Sequence, residues 1–277
     1  MKKNKIAGKI IRIILLIIFL IFALFPLYWI VLTSLKPTYE LYTFPIKYWT
    51  INPTFYGYKK LFEFVNFKQY FSNSIFVSFL ASFISTIFAM LSGYVLSRKE
   101  FKGRYAVILF LFFSQMIPSY LIMVPQYVMF SNFHLINKLI SIVIVYSGFG
   151  AAFSTIMAKG FFDRIPKSIE EAALIDGCNE IQSLFKITIP LMLPGLSAIL
   201  SFSFVNNWNE LFTAVMFLNT SNKYTVPVGL YSIVSKAGIQ WNVLAAGIVV
   251  ALLPTIIVFA AAQKYIIAGL TQGSLKD

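Results

Sequence analysis

The chain has 277 residues, of which 58% are hydrophobic, 12% are charged and 29 are Phe. Soluble domains carry roughly 25% charged residues, so an ordinary water-soluble fold is excluded, and the apolar residues fall in long blocks of the membrane type. The net charge of +13 does not indicate nucleic acid, because the basic residues occupy the gaps between apolar blocks, where they flank membrane spans and fix orientation.

Six blocks, near 10–34, 72–96, 105–130, 139–162, 190–218 and 243–267, are long enough to cross the bilayer. About 30 Å of hydrocarbon takes about 20 helical residues. Continuous apolar runs without alternation select helices over barrel strands. The first block follows Lys2, Lys3, Lys5, Lys9 and Arg12, the flank of a signal peptide, but Ile13–Leu32 is too long for one and no small-residue cleavage site follows. It is expected as a retained first span. Between the first and second blocks, Pro37, Pro45 and Pro53 break the chain, and 56–65 reads as an amphipathic helix at the interface. That helix serves either as a ledge for an external partner or as a brace on the membrane. In the third block Pro118 and Pro125, beside Ser114 and Gln115, should bend the helix. In the fourth, Ser147, Gly148 and Gly150 suggest close helix packing. Pro254 is expected to kink the sixth.

Lys and Arg are unevenly distributed between the gaps. Of the 23, fifteen fall on the side that contains both termini, the segment 98–104 and the gap after the fourth block. That side is expected to be cytoplasmic. The fold class is therefore an all-α polytopic membrane protein with six transmembrane helices and both termini cytoplasmic, in a single domain over 1–277. The one histidine, His134, lacks the companions a metal site needs, and Cys178 cannot form an internal disulfide.

The gap at 163–189 carries a pattern. Ser168 and Glu171 are spaced as a capping box, so a helix should begin there. Ile169, Ala172 and Ala173 share one face of it, and Gly177 supplies a left-handed stop. Asn179 and Gln182 are spaced as a second box, opening a second helix over 180–187 that leads to Pro190. Small Ala172 and Ala173 leave the first helix slim enough to enter a groove on another protein, with Ile169 and Leu174 as anchors. Glu170, Asp176 and Glu180 would meet basic groups beside that groove.

Glu171-Ala172-Ala173, then Gly177, then Ile187-Thr188-Ile189-Pro190 resembles the EAA loop of bacterial ABC importer permeases. Ile189 stands where that pattern usually has Leu. Asn207-Trp208-Asn209-Glu210-Leu211-Phe212, the ending Gly269-Leu270-Thr271-Gln272-Gly273-Ser274-Leu275-Lys276, and Asn73-Ser74 are similar to segments of the carbohydrate-uptake branch, the smaller maltose-type permease subunit. The resemblance covers essentially the whole chain. It implies a type I importer domain in the bacterial cytoplasmic membrane, with Ser168, Ile169, Glu170, Glu171, Ala172, Ala173, Leu174, Asp176, Gly177 and Pro190 coupling to a separate ATPase. Gly269, Leu270, Thr271, Gly273 and Lys276 would reach toward that ATPase. The implied partners are a second homologous permease, a dimeric ABC ATPase, an extracellular solute-binding protein and the bilayer. No cofactor is expected on this chain; ATP and Mg would sit on the ATPase.

Glu210 is the one acid in any predicted span, and intramembrane charge marks a functional candidate. With Gln115, Asn206, Asn207, Trp208 and Asn209 it is a candidate pore or substrate lining; bonding between helices is the other reading. A sugar or oligosaccharide is the expected cargo, with a non-sugar solute as the alternative. An ion-coupled carrier would favour mid-membrane charges and an inverted repeat, and neither a set of such charges nor a repeat is found. No phosphate-binding Gly-rich loop and no clustered catalytic set occurs in the sequence.

Overall fold

The structure, a computed structural model, describes residues 2–64, 66–235 and 238–271, and the side chains of 8–63, 66–234 and 238–264. Long apolar runs give long helices: α1 (Lys2–Leu35), α4 (Phe67–Arg98), α7 (Leu139–Phe162), α10 (Ile189–Asn209) and α13 (Trp241–Thr271). Between them lie α2 (Thr38–Leu41), α3 (Tyr56–Phe64), α5 (Arg104–Met116), α6 (Ser119–Asn132), α8 (Lys167–Ile175), α9 (Glu180–Ser183), α11 (Phe212–Phe217) and α12 (Val226–Ile233). A two-stranded antiparallel hairpin, β1 (Val234–Ser235) with β2 (Gly238–Ile239), precedes α13 and was not anticipated from the sequence.

Five described helices are long and apolar enough to cross a membrane, or six if the bent pair α5 and α6 counts as one span. That pair corrects the third predicted span. Instead of one kinked helix there are two, of 13 and 14 residues, turned 96° at the Ile117–Pro118 break. Pro118 has no N–H to continue the ladder and biases Ile117 to the extended conformation it adopts. Pro125, inside α6, leaves that helix unbroken. The block at 190–218 is also two pieces: α10 ends at Asn209, Glu210 is extended, and α11 starts afresh. At its other end, α9 runs through a π turn (Leu184–Thr188) into α10, so the second loop helix expected over 180–187 is not a separate element but the start of the fifth span.

By packing, the chain falls into two compact units, Met1–Lys68 with Gly229–Leu253, and Gln69–Val228 with Pro254–Asp277. In the first, α3 and the start of α13 press together so closely that a Cβ at Gly57 would lie 2.6 Å from the Asn242 carbonyl oxygen. The Asn242 amide donates to Thr38, and Ser34 pairs with the Tyr58 hydroxyl at 2.9 Å. The predicted amphipathic helix is present as α3, with Leu61 fully buried.

In the second unit α7 packs against α4, α5 and α10. Small residues permit the closest approach: a Cβ on Gly93 would meet the Ala158 Cβ at 2.7 Å. Hydroxyl pairs cross the same interfaces, Ser92 to Thr155 at 2.8 Å and Ser154 to Ser203 at 3.1 Å, and Asn207 of α10 donates to Ser82 of α4 at 2.9 Å. The close packing expected at Ser147–Gly150 holds only in part. A Cβ on Gly148 would meet nothing within 4 Å, while one on Gly150 would touch Ser85.

Candidate functional site

The loop at 163–189 is a helix–turn–helix held to the ends of two long helices. Its turn is a complete Schellman motif. Gly177 takes φ +88°, its N–H reaches the Leu174 carbonyl, and the Cys178 N–H reaches that of Ala173. The second capping box forms in full, with Gln182 N–H to Asn179 at 2.8 Å and Asn179 N–H to Gln182 at 3.0 Å. The first box does not form. Pro166 occupies the N-cap position and α8 begins at Lys167, so Ser168 lies inside the helix, exposed. Because the helix starts two residues earlier than Ser168 would have set it, the Glu171 N–H falls within the helical ladder and Ser168 has no orphan N–H to cap.

Faces of α8 differ from the sequence expectation. Ala173 is 3% exposed and, with Glu170, faces the protein body. Ala172, Glu171, Leu174 and Asp176 are exposed, and Ile175 is 87% exposed, an apolar candidate that the sequence reading passed over. Glu170 and Glu180 find their basic partners in this chain. Arg98, last residue of α4, donates Nε to Glu170 at 2.7 Å, Nη1 to Ser97 and to the Phe162 carbonyl, and Nη2 to the Ile165 carbonyl. Tyr94 adds a hydrogen bond to Glu170 at 3.2 Å, and Lys99 pairs with Glu180 at 2.6 Å. Next to these, Asp163 accepts from Ser97 and from Lys159, both at 2.6 Å. Burial alone would raise the Asp163 pKa; the hydrogen bonds from Lys159 and Ser97 outweigh it and hold the carboxyl below its ordinary value. The end of α4, the end of α7 and the loop are thereby one polar knot. Tyr94, Ser97, Arg98 and Asp163 were not singled out in the sequence. The available signal was four basic residues within 98–104, read there only for orientation.

The second cluster surrounds the break after α10. The Glu210 carboxylate accepts from the Tyr146 hydroxyl at 2.6 Å, from Thr213 N–H at 3.0 Å, from the Thr213 hydroxyl at 3.2 Å and from Ala214 N–H at 3.4 Å. It therefore caps α11 and ties it to α7. Glu210 also lines a cavity of about 370 Å³ with Gln115, Ser119, Asn206, Asn207 and the rings of Phe149 and Phe153. Four of the predicted residues thus meet, Gln115 from the end of α5, Asn206 and Asn207 from α10, and Glu210 from the break that follows it. Trp208 and Asn209 do not join them. Trp208 is 2% exposed, packed edge-on to Phe71 and stacked near Phe204, and the Asn209 amide bonds back to the Val205 carbonyl. Pro190 lies at the first turn of α10. For Gly269, Leu270 and Thr271 only the helical backbone is described, and Gly273 and Lys276 lie outside the described residues. Among the described residues no His, Cys, Asp and Glu group could hold a metal ion.

Residues 85–272 match the model of the family described as binding-protein-dependent transport system inner membrane component. The chain belongs to that family. This inner membrane component is similar, at 32% identity over 98% of its own length and 95% of the relative's, to the sulfoquinovosyl glycerol transport system permease protein SmoH of Agrobacterium fabrum. It is similar at 31% identity, covering 90% and 89% of the two chains, to the arabinooligosaccharides transport system permease protein AraQ of Bacillus subtilis. Among solved structures it matches a chain of a bacterial ABC transporter involved in the import of the acidic polysaccharide alginate, with TM-score 0.81, 26% identity, and 96% and 98% of the two chains covered. The all-α fold is that of an ABC importer permease, and the knot and the cavity are features of its membrane subunit.

Proposed function

We propose that this permease imports a sugar or oligosaccharide by alternating access, driven by ATP that a separate, dimeric ABC ATPase binds with Mg. The exposed surface of α8 carries the proposal for the drive. Ser168, Glu171, Ala172, Leu174, Asp176 and Ile175 are open to a partner, while Ala173 is buried and Glu170 ties the helix to Arg98 at the end of α4. A helix held rigidly on one side and free on the other transmits a push to the helices behind it. Pro190, Gly269, Leu270, Thr271, Gly273 and Lys276 keep the roles that the family resemblance implies for them. Support for a saccharide comes from the named cargo of the relatives, sulfoquinovosyl glycerol and arabinooligosaccharides, and of the alginate importer. A cavity lined by amides and phenyl rings suits hydroxyls and C–H faces. The partners proposed with it are a second homologous permease and an external solute-binding protein.

Site-specific cross-linking tests the coupling surface. In a Cys178→Ser background, Cys at Ile175 should be captured by the ATPase, whereas Cys at Ala173 should not. Equal capture at both positions, or at neither in an assembled transporter, would contradict the proposal.

A further inference from the structure

After α1 the chain turns at Pro37 into α2, leaving a cavity of about 280 Å³ lined by Trp29, Lys36, Glu40, Thr43, Lys47 and Trp241, all in one compact unit. Two of these residues are charged and almost sealed from water: Lys36 is 3% exposed and Glu40 is 5%. Such charges need partners. Lys36 donates to the Lys47 carbonyl and sits 4.7 Å from the Trp29 ring centre. An ammonium has three N–H donors, so acceptor capacity is wanting. Burial pulls the Lys36 pKa below its ordinary value, and the Glu40 charge opposes that pull. Glu40 is worse provided: its Oε2 is buried and accepts no hydrogen bond. A carboxylate oxygen left so costs free energy until a donor reaches it.

The unmet chemistry is a cationic donor for Glu40 and an anion for Lys36 and Lys47, beside two indole rings. Its place in the bilayer narrows the ligand. The pocket begins where the apolar span Gly8–Leu35 ends, and Tyr39, Tyr42, Tyr48 and Trp49 around it in the chain are 62% to 69% exposed. Exposed Trp and Tyr at the end of a span belong at headgroup depth. We propose that this pocket binds the headgroup of an ethanolamine phospholipid, its ammonium on Glu40 and its phosphodiester on Lys36 and Lys47. A choline headgroup has no N–H to donate to Glu40, and a glycerol headgroup has no cation. A neutral saccharide could satisfy Glu40 but leaves two lysines without an anion.

The test is native mass spectrometry of the assembled full-length transporter with phosphatidylethanolamine, phosphatidylcholine and phosphatidylglycerol of identical acyl chains. Retention of the ethanolamine lipid should exceed that of the choline lipid roughly tenfold, the scale of one charge-assisted hydrogen bond. Glu40→Gln should bring the two to parity. Lys47→Glu, at an exposed side chain, should lower retention of all three lipids. Equal retention of the ethanolamine and choline lipids by the wild type overturns the proposal. So does a preference that survives Glu40→Gln with uptake lost, which would assign the pocket to a protein or solute. If Glu40→Gln does not assemble, unchanged retention in Lys47→Glu overturns it instead.

Discussion

Arg98 directs four hydrogen bonds into the ends of α4 and α7 and into α8, and its side chain and that of Glu170 are 6% and 12% exposed. A pair so shielded contributes little beyond an apolar substitute, but removal of one member strands the other, at about 3–5 kcal/mol. Arg98→Gln should therefore destabilise the purified transporter by that order in chemical denaturation, and Arg98→Gln with Glu170→Gln should recover part of it. Additive losses would mean that the two side chains do not depend on each other. Asp163 gives the pH dependence. Its folded pKa is depressed, so its contribution is fully present above the unfolded value of about 3.9 and is lost as pH falls through the lower folded value. Hydrogen exchange of the 163–189 amides should be steady from neutral pH to about 5, once intrinsic rates are divided out, and protection should drop only below about 4. Protection lost near pH 6 would point to a different group. At the other cluster, Glu210→Ala removes the acceptor for Tyr146 and for the first N–H groups of α11. A loss of about 1–3 kcal/mol is expected, with uptake reduced in the assembled complex; unchanged unfolding would exclude the capping role.

Element-scale features were legible where they are local. The Gly177 stop and the Asn179–Gln182 box involve residues three or four apart, and both form as the spacing predicts. The Ser168–Glu171 box had the same spacing, yet Pro166 took the cap. The two alanines illustrate the limit of periodicity. It places Ala172 and Ala173 on one broad face, but only the tertiary packing of the loop decides that Ala173 is inside and Ala172 outside. Ala172→Trp should leave folding intact and abolish ATP-driven uptake, whereas Ala173→Trp should overpack the knot at about 1–3 kcal/mol. If both variants unfold to the same degree, the inward–outward assignment is wrong. The α4–α7 contact was illegible for the same reason: nothing near Gly93 in sequence announces Ala158, 65 positions away. Gly93→Leu is expected to lower the melting temperature of the transporter, because the added side chain meets backbone at under 3 Å.

At the scale of the molecule, composition and block lengths were enough for an all-α membrane protein. They could not show that the third block breaks by 96° or that the fifth ends at Glu210, since an apolar run has the same composition whether straight or broken. Candidate site residues drawn from motifs divided accordingly. Gln115, Asn206, Asn207 and Glu210 meet around one cavity, and Trp208, next to Asn207 in sequence, packs instead against Phe71 and Phe204 at 2% exposure. None of the residues in the most apolar window of Gly8–Leu35 is buried within the chain, so the bilayer or a second permease must cover it. The decisive measurement is solute uptake into proteoliposomes that contain the permease with its ATPase, with the binding protein outside. Uptake should require enclosed ATP and external binding protein, and should vanish in Ala172→Trp although the complex stays assembled. Uptake driven by an ion gradient without ATP, or unimpaired in Ala172→Trp, would contradict coupling through the EAA loop.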